Sequence, residues 1–269
     1  MLERPATVRI AQPEAALFAS DMHLDDGHPA LIEHFLASLD ASLASVLARF
    51  REPVLFLLGD LFEYWIGDDH VPPVAQALSA RLAAFGDAGG RVFLMHGNRD
   101  FLMDVPLPAD PLAPTFSTRC GASLLPDPTV IEVAGRRIGL SHGDALCSDD
   151  TRYQQWRSLC RSAAWQQPFL ARTVAERLAM ASSLRQQSMQ AQAVTETLSD
   201  VNQAAVDALM TRLDTTLLIH GHTHQPRLHR WLHPNGDQER QRWVLSDWAA
   251  APARGAVMSL ASAATLPAC

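Results

Sequence analysis

The stretch VLFLLGDLFEYWIGDD, residues 54–69, changes character at its sixth residue, where five apolar residues give way to Gly59 and Asp60. A short apolar run that ends in a turn signal predicts a buried strand, with Asp60 at its carboxyl end. Four other apolar runs lead into polar loops in the same way: Ser20-Asp21-Met22-His23, His96-Gly97-Asn98-Arg99-Asp100, Ser141-His142-Gly143-Asp144 and His220-Gly221-His222-Thr223-His224. The chain therefore repeats one arrangement five times.

The segments between these runs predict an α/β architecture. Helical apolar patterns cover about 29–50 and 71–86, between the first three predicted strands. Near the end of the chain, 227–232, 241–246 and 255–260 predict further strands, with a hairpin turn at Asn235-Gly236.

The segment 149–212 has a different composition. It is rich in Ala, Gln, Leu and Arg, and it predicts several helices inserted as a cap into a core formed by 1–148 and 213–269. Residues 151–190 hold six Arg against one acid, Glu176, a local excess of +5, with Tyr153, Trp156, Trp165 and Phe169 among them. Such a segment can bind an anionic ligand with apolar parts or an anionic membrane, or it can be an ordinary helical layer.

Composition excludes several classes of protein. The chain has 269 residues, is 48% hydrophobic, carries a formal net charge of −7 and contains no Lys. The charge argues against a protein that coats nucleic acid, and the lack of Lys excludes the lysine-containing phosphate loop. Four scattered Cys favour a reduced, cytoplasmic setting. We expect no signal peptide and no membrane-spanning run of about 20 apolar residues.

The residue types in the five loops suit a metal site. Each motif alone is more often a turn, but five loops after successive strands can converge where α/β sheets bind ligands. Carboxylate, imidazole and amide oxygen ligands without thiolate favour Mn²⁺, Fe or Zn²⁺. Asp60 can bridge two cations about 3.5–4 Å apart, which activate water and neutralise phosphoryl charge. Arg99 is placed to bind a phosphate oxygen.

In their order and strand context, the five motifs resemble the calcineurin-like metallophosphoesterase family. The resemblance covers nearly the whole chain and implies a four-layer αββα sandwich with an inserted helical cap. It also implies two ligand sets that share Asp60. The first metal would take Asp21, His23, Asp60 and His224, and the second would take Asp60, Asn98, His142 and His222.

The residues flanking the motifs resemble the diphosphatases that act on UDP-2,3-diacylglucosamine in lipid A synthesis. The resemblance extends over 59–69, 96–101, 141–150, 200–202 and 219–226. It implies that hydroxide held between two metal ions, Mn²⁺ above all, attacks the α-phosphorus and releases UMP and 2,3-diacylglucosamine 1-phosphate. It further implies a monomer, peripheral on the cytoplasmic face of the inner membrane.

The same resemblance implies site roles beyond the metal ligands. Substrate contacts would be Asn98, Arg99, Asp150, Ser188 and His222, and the residues acting in the reaction would be Asp60, Arg99 and His222. The chain departs from the pattern after Ser188, where Gln192 and Thr195 stand in place of the family's Asn and Lys.

Other readings stay open from the sequence. The chain could be another phosphoesterase of this family, such as a dinucleoside polyphosphate hydrolase or a phosphodiesterase, or a non-catalytic scaffold on the same fold. His96 and His220 could orient ligands or be core histidines. Asp247-Trp248 could be structural or could line the site.

Overall fold

The computed structural model describes residues 6–9, 15–133, 136–194, 200–233, 236 and 238–261. The strands are β1 (Ala6–Arg9), β2 (Ala15–Ala19), β3 (Val54–Leu58), β4 (Arg91–Met95), β5 (Ser123–Leu125), β6 (Thr129–Val133), β7 (Arg136–Ser141), β8 (Leu217–His220), β9 (Arg227–Leu232), β10 (Glu239–Val244), β11 (Ala249–Ala250), β12 (Ala253–Arg254) and β13 (Met258–Ala261). The helices are α1 (Pro29–Leu47), α2 (Pro73–Asp87), α3 (Phe116–Cys120), α4 (Thr151–Cys160), α5 (Ala163–Leu170), α6 (Val174–Val194) and α7 (Gln203–Leu213).

Two sheets carry the five motif strands. One has the order β13-β2-β3-β4-β5, in which β2 to β5 are parallel. The other has the order β1-β6-β7-β8-β10-β9, in which β7 and β8 are parallel neighbours. The continuous apolar runs follow from this arrangement, because a strand covered on both faces needs apolar residues at every position.

Alternation along β3 shows how the layers pack. Phe56 and Leu58 belong to the core between the two sheets, whereas Leu55 and Leu57 belong to the core that also holds α1 and α2. On the far side, α7 packs on Val130 and Leu218 of the six-stranded sheet. The order is helices, sheet, sheet, helix, which confirms the four-layer αββα sandwich.

Helix α1 differs from the expectation that the chain contains no membrane-length apolar run. By length and composition alone, its 19 residues could cross a membrane, with a mean hydropathy of 1.4. However, Phe35, Leu36, Leu39, Leu43 and Val46 are buried in the core that contains β2 and β3. This is the arrangement of an amphipathic helix that packs on the core by one face, so length and composition carry little weight here.

The predicted cap segment forms helices α4 to α7. Three of its aromatic side chains pack together, with ring centroids 4.9 Å apart for Trp165 and Phe169 and 5.5 Å apart for Trp156 and Trp165. Helix α7 belongs to this segment but packs on the six-stranded sheet. The division of the chain into core and cap at residue 212 stays a prediction.

Acids outside the segment offset much of its positive charge. Arg157 and Arg161 pair with Asp144, Arg177 pairs with Asp69, and Arg185 pairs with Glu63. Most of these arginines therefore anchor the helices to the core. Arg152 and Arg172 are exposed.

Short elements outside the strongest patterns were not predicted. They are β1, β5, β6, β11, β12 and α3, whose two to five residues provide little periodicity. The predicted hairpin is present, since β9 and β10 pair antiparallel, although Asn235 itself lies outside the described residues.

Candidate metal centre

The five motif loops meet although they leave two different sheets. Asp21, Asp60 and Asn98 follow the parallel strands β2, β3 and β4, while His142 and the His222–His224 loop follow β7 and β8. Because the two sheets pack face to face, the carboxyl ends of these strands open at one end of the sandwich. The sequence pattern predicts that all five loops follow strands of one sheet. In the structure, three loops follow strands of one sheet and two follow strands of the other.

Unusual backbone angles concentrate at these loops. Among the described residues, seven that are not Gly have positive φ, and five of them are predicted ligands: Asp21, His23, Asp60, His222 and His224, with φ between 48° and 68°. This conformation costs free energy for residues with a Cβ, and it persists where the surroundings enforce it. The structure therefore enforces an unfavourable backbone conformation at these loops, which indicates that they do more than reverse the chain direction.

Asp60 lies between two groups of side chains. Its Oδ1 is 3.7 Å from His142 Nε2, and its Oδ2 is 3.8 Å from His23 Nε2. The backbone N–H of Arg99 donates to Oδ1 at 2.8 Å and fixes the orientation of the carboxylate. Each oxygen faces a different group, which is the geometry that a bridging ligand needs.

The first group consists of Asp21, His23 and His224, which are far apart in the sequence. His23 Nε2 and His224 Nε2 are 3.2 Å apart, and His224 Nε2 is 3.5 Å from Asp21 Oδ1. The side chain of Ser20 and the backbone N–H of His222 both donate to the Asp21 carboxylate. Asp21 is thereby held with its charge toward both histidines.

The second group surrounds the amide oxygen of Asn98. His142 Nε2 lies 3.0 Å from Asn98 Oδ1, and His222 Nδ1 lies 2.8 Å from the same oxygen. His142 Nδ1 is 2.9 Å from the carbonyl oxygen of Leu58, so that ring nitrogen donates and Nε2 is left to face the site. Asp21, Asp60 and His142 also bring one ligand atom each within 4.8 Å of one another.

Two glycines are required by close approach. A Cβ at Gly97 would collide with the Asp60 carboxylate and backbone, and a Cβ at Gly221 would collide with Asp21 and Ser20. The Gly-Asn and Gly-His pairs of the motifs therefore have a steric reason, since the loops cross within contact distance of the acidic ligands.

Burial and charge set the protonation of the group. Burial lowers the pKa of His23 and of His222 to about 3, so both are neutral at neutral pH. Burial raises the pKa of Asp60 to about 7, assisted by Asp100 and Asp21. Burial opposes the charged form of His142, but the carboxylates of Asp60 and Asp21 raise its pKa to about 9.

These residues fit a pair of divalent cations. The site gathers two buried carboxylates, four imidazoles and an amide oxygen, and several of its nitrogens and oxygens point at one another within 4 Å. Imidazole nitrogens, carboxylate oxygens and an amide oxygen are the donor set that borderline and hard divalent ions prefer. The ligand assignment itself stays a prediction.

Comparison with known proteins identifies the family. The profile described as calcineurin-like phosphoesterase matches residues 16–226. The chain belongs to the calcineurin-like phosphoesterase family. This family uses divalent metal ions, in agreement with the predicted metal dependence.

Curated relatives are similar along most of the chain. A UDP-2,3-diacylglucosamine hydrolase of Aromatoleum aromaticum is 42% identical over 87% of this chain and 89% of its own length. The protein of that name from Chromobacterium violaceum is 46% identical over 86% and 89%, and that from Bordetella pertussis is 44% identical over 86% and 84%.

The predicted substrate-contacting residues are more widely distributed over the structure than the metal ligands. Arg99 is half-buried, and its Nε is buried without a hydrogen-bond partner among the described residues. Asp150 is exposed and caps α4, accepting from the N–H of Tyr153 at 2.8 Å. Ser188 and Gln192 belong to α6, but their side chains and the whole of Thr195 lie outside the described residues.

Sequence reasoning missed several acids around the ligands. Asp100 accepts from the N–H groups of Leu61 and Gly97 at 2.7 Å each and ties two motif loops together. Glu63 Oε2 lies 3.5 Å from His23 Nδ1. Asp144, the last residue of its motif, is fully buried. The signal available was position, because all three stand within three residues of a predicted ligand.

The residues with open roles also have defined contacts. Asp247 Oδ2 lies 3.8 Å from His224 Nδ1 and pairs with Arg254, so Asp247 lies beside the site. His220 contacts the carbonyl of Gly221 and Arg242, and His96 Nε2 lies 2.7 Å from the carbonyl of Met103. These contacts brace the loops, while Trp248 packs on Phe35 in the core.

Proposed function

We propose that the chain hydrolyses UDP-2,3-diacylglucosamine at the α-phosphorus, releasing UMP and 2,3-diacylglucosamine 1-phosphate in lipid A biosynthesis. The observation that carries the proposal is Asp60, whose two oxygens face two separate ligand groups. The substrate is proposed from the curated relatives, which are named UDP-2,3-diacylglucosamine hydrolase and are 42–46% identical to this chain.

Hydrolysis forms a bond between a water oxygen and the α-phosphorus and breaks the bond from that phosphorus to the bridging oxygen. Two divalent cations, Mn²⁺ in our proposal, would supply an activated water and offset charge on the phosphoryl oxygens. Asp21, His23, Asp60 and His224 would hold one cation, and Asp60, Asn98, His142 and His222 would hold the other.

Protein side chains bind and orient the substrate. The guanidinium of the half-buried Arg99 binds a phosphoryl oxygen. Neutral His222 donates a hydrogen bond to a phosphoryl oxygen that gains charge in the transition state. Asn98, Asp150 and Ser188 complete the proposed substrate contacts.

The cap and the surroundings of the protein belong to the same proposal. Residues 149–212 form a helical cap that holds the acyl chains against the site. The protein is a cytoplasmic monomer, peripheral on the anionic inner membrane, and it binds no nucleic acid. The exposed Leu159 and Leu184 of α4 and α6 supply apolar contact with lipid.

Isotope transfer tests both the substrate and the position of attack. Purified protein with Mn²⁺ is given UDP-2,3-diacylglucosamine in H₂¹⁸O, and both products are analysed by mass spectrometry. We expect ¹⁸O in UMP. Label in the sugar phosphate instead would reject attack at the α-phosphorus. Activity that survives Asp60→Ala would reject the site.

The competing phosphoesterase activity is tested in the same assay. Diadenosine tetraphosphate replaces the lipid nucleotide at equal concentration and Mn²⁺. Faster turnover of the dinucleotide would favour the alternative within the family. Two tightly bound metals per chain without hydrolysis of either substrate would favour the scaffold.

A further inference from the structure

Asp144 lies at the point where the inserted helix α4 meets the motif loops. It follows His142 by two residues, its side chain is fully buried, and it belongs to no predicted ligand set. Its Oδ2 accepts hydrogen bonds from Tyr153 Oη at 2.7 Å, Arg157 Nε at 2.8 Å and Arg161 at 3.4 Å. A buried carboxylate with three donors is a strong anchor.

The three donors form one stripe along α4 and its C-cap residue, Arg161. Residues 153, 157 and 161 are spaced by four, and residues four apart lie on the same face of a helix. The whole helix is thus oriented by one carboxylate. Gln154 supports the same loop, since its Nε2 donates to the carbonyl oxygens of Asp144 and Cys147 at 2.8 and 3.1 Å.

The same stripe contacts the other loops of one ligand set. Arg161 donates to the carbonyl oxygen of Gly97 at 2.9 Å, directly before Asn98. The ring of Tyr153 stacks on the ring of His222, with centroids 6.0 Å apart and an angle of 29° between the planes. Asp144 itself continues the His142 loop. Asn98, His142 and His222 are the residues assigned to the second cation beside Asp60.

We propose that Asp144 is a positioning residue for the second cation, acting through Tyr153 and Arg157 of α4 and through Arg161, which directly follows that helix. It holds the loops of Asn98, His142 and His222 in register, so that the inserted helix and one metal site form together. The proposal rests on the two-cation assignment of the proposed function. Residues that orient metal ligands typically change metal affinity 10- to 100-fold when they are substituted.

The test is metal counting in Asp144→Asn, which keeps the side-chain volume and removes the charge. Metal-free protein is titrated with Mn²⁺, and bound metal is followed by calorimetry and by the spin-coupled signal in electron paramagnetic resonance. We expect the first cation to bind with unchanged affinity and the second to bind about 10-fold or more weakly. Excess Mn²⁺ should restore the coupled signal.

Asp207→Asn is the matched control. Asp207 accepts from Arg240 at 2.9 Å and from Trp231 at 3.0 Å, so like Asp144 it binds an arginine and an aromatic side chain, but neither partner belongs to a motif loop. We expect this variant to lower Tm and to bind two cations with wild-type affinity. Wild-type binding of both cations by Asp144→Asn would overturn the proposal.

Double variants assign the weakened site. Asp144→Asn should lower metal content further in a His224→Ala background but should add little to His222→Ala, because the second site is already impaired there. The reverse pattern would overturn the proposal. If Asp144→Asn does not fold, Tyr153→Phe and Arg161→Gln replace it, and unchanged second-site affinity in both would also overturn it.

Metal counting separates this inference from the proposed function. A wild-type chain that binds two cations but does not cleave the lipid nucleotide would reject the function alone. A wild-type chain that binds fewer than two cations would overturn both.

Discussion

Gly97 shows how a single missing Cβ shapes the site. An added Cβ there would overlap the Asp60 carboxylate, which faces both ligand groups. We expect Gly97→Ala to lose most hydrolytic activity and to bind less than two Mn²⁺ per chain, because Asp60 or the Asn98 loop must move. Activity assays and metal analysis check this.

Gly86→Ala is the control for that substitution. Gly86 lies in α2 with no atom within 4 Å of an added Cβ. Since Ala favours a helix over Gly, Gly86→Ala should stabilise the protein by about 0.5–1 kcal/mol and leave activity unchanged. Equal activity of the two variants would contradict the close-approach argument.

Asp68 makes the free energy of unfolding depend on pH. Burial raises its pKa to about 7, and Asp104 adds to the shift, although Trp65 Nε1 donates to the carboxylate at 2.9 Å. The folded pKa lies above the unfolded value of 3.8, so the folded state binds the proton more tightly. The protonated carboxyl of Asp68 therefore makes its full contribution to the unfolding free energy below about pH 4. This contribution is lost as pH rises toward 7.

The comparison with Asp68→Asn isolates this effect. Urea unfolding of metal-free protein should show the wild type losing on the order of 3 kcal/mol relative to Asp68→Asn between pH 4 and pH 8. The other titrating groups are common to both proteins and cancel in the difference. A difference that stays constant over this range would refute the raised pKa.

At the scale of elements, one buried arginine attaches α6 to the core. Arg177 is 1% exposed, pairs with Asp69 through both of its terminal nitrogens and donates to the carbonyl oxygen of Ile66. Removing one partner of such a pair typically costs about 3–5 kcal/mol, less here because Asp69 is partly exposed. Arg177→Met should lower the unfolding free energy of α6 by about 2–3 kcal/mol.

Hydrogen exchange measures that loss locally. Amides of α6 should exchange faster in Arg177→Met, while those of β2 and β3 should keep their protection. Arg172→Met is the control, because Arg172 is exposed two residues before the same helix. Equal exchange in the two variants would mean that the ion pair does not hold α6.

At the scale of the whole molecule, the insertion offers the surface for membrane contact. Leu159 is 52% exposed on α4, within the arginine-rich segment. We expect Leu159→Ser to reduce association with vesicles that contain anionic phospholipid by about threefold to tenfold, because apolar contact with the lipid is lost. Vesicle flotation measures the bound fraction.

Leu232→Ser is the matched control for that prediction. Leu232 is 65% exposed, but it lies on β9 of the core, away from the insertion in sequence. Its substitution should leave vesicle association unchanged. If both variants bind as the wild type does, or if both lose binding equally, the insertion is not the membrane surface.

The sequence alone determined the motif strands and the ligand types. Continuous apolar runs such as residues 54–58 are required when both faces of a strand are covered, and the turn after each run places its polar residues at the carboxyl end. Those signals are local, so they survive without knowledge of the fold. The resemblance to a family then supplied the four layers and the pairing of ligands.

Only the tertiary structure decided which side chains lie together across the chain. It set the oxygens of Asp60 toward His142 and His23, and it brought His224 to His23 across 201 residues. It also paired Asp144 with Arg157 and Arg161, so that much of the insertion's positive charge is internal. Such contacts depend on how two sheets and an inserted helix pack, and no local pattern encodes that packing.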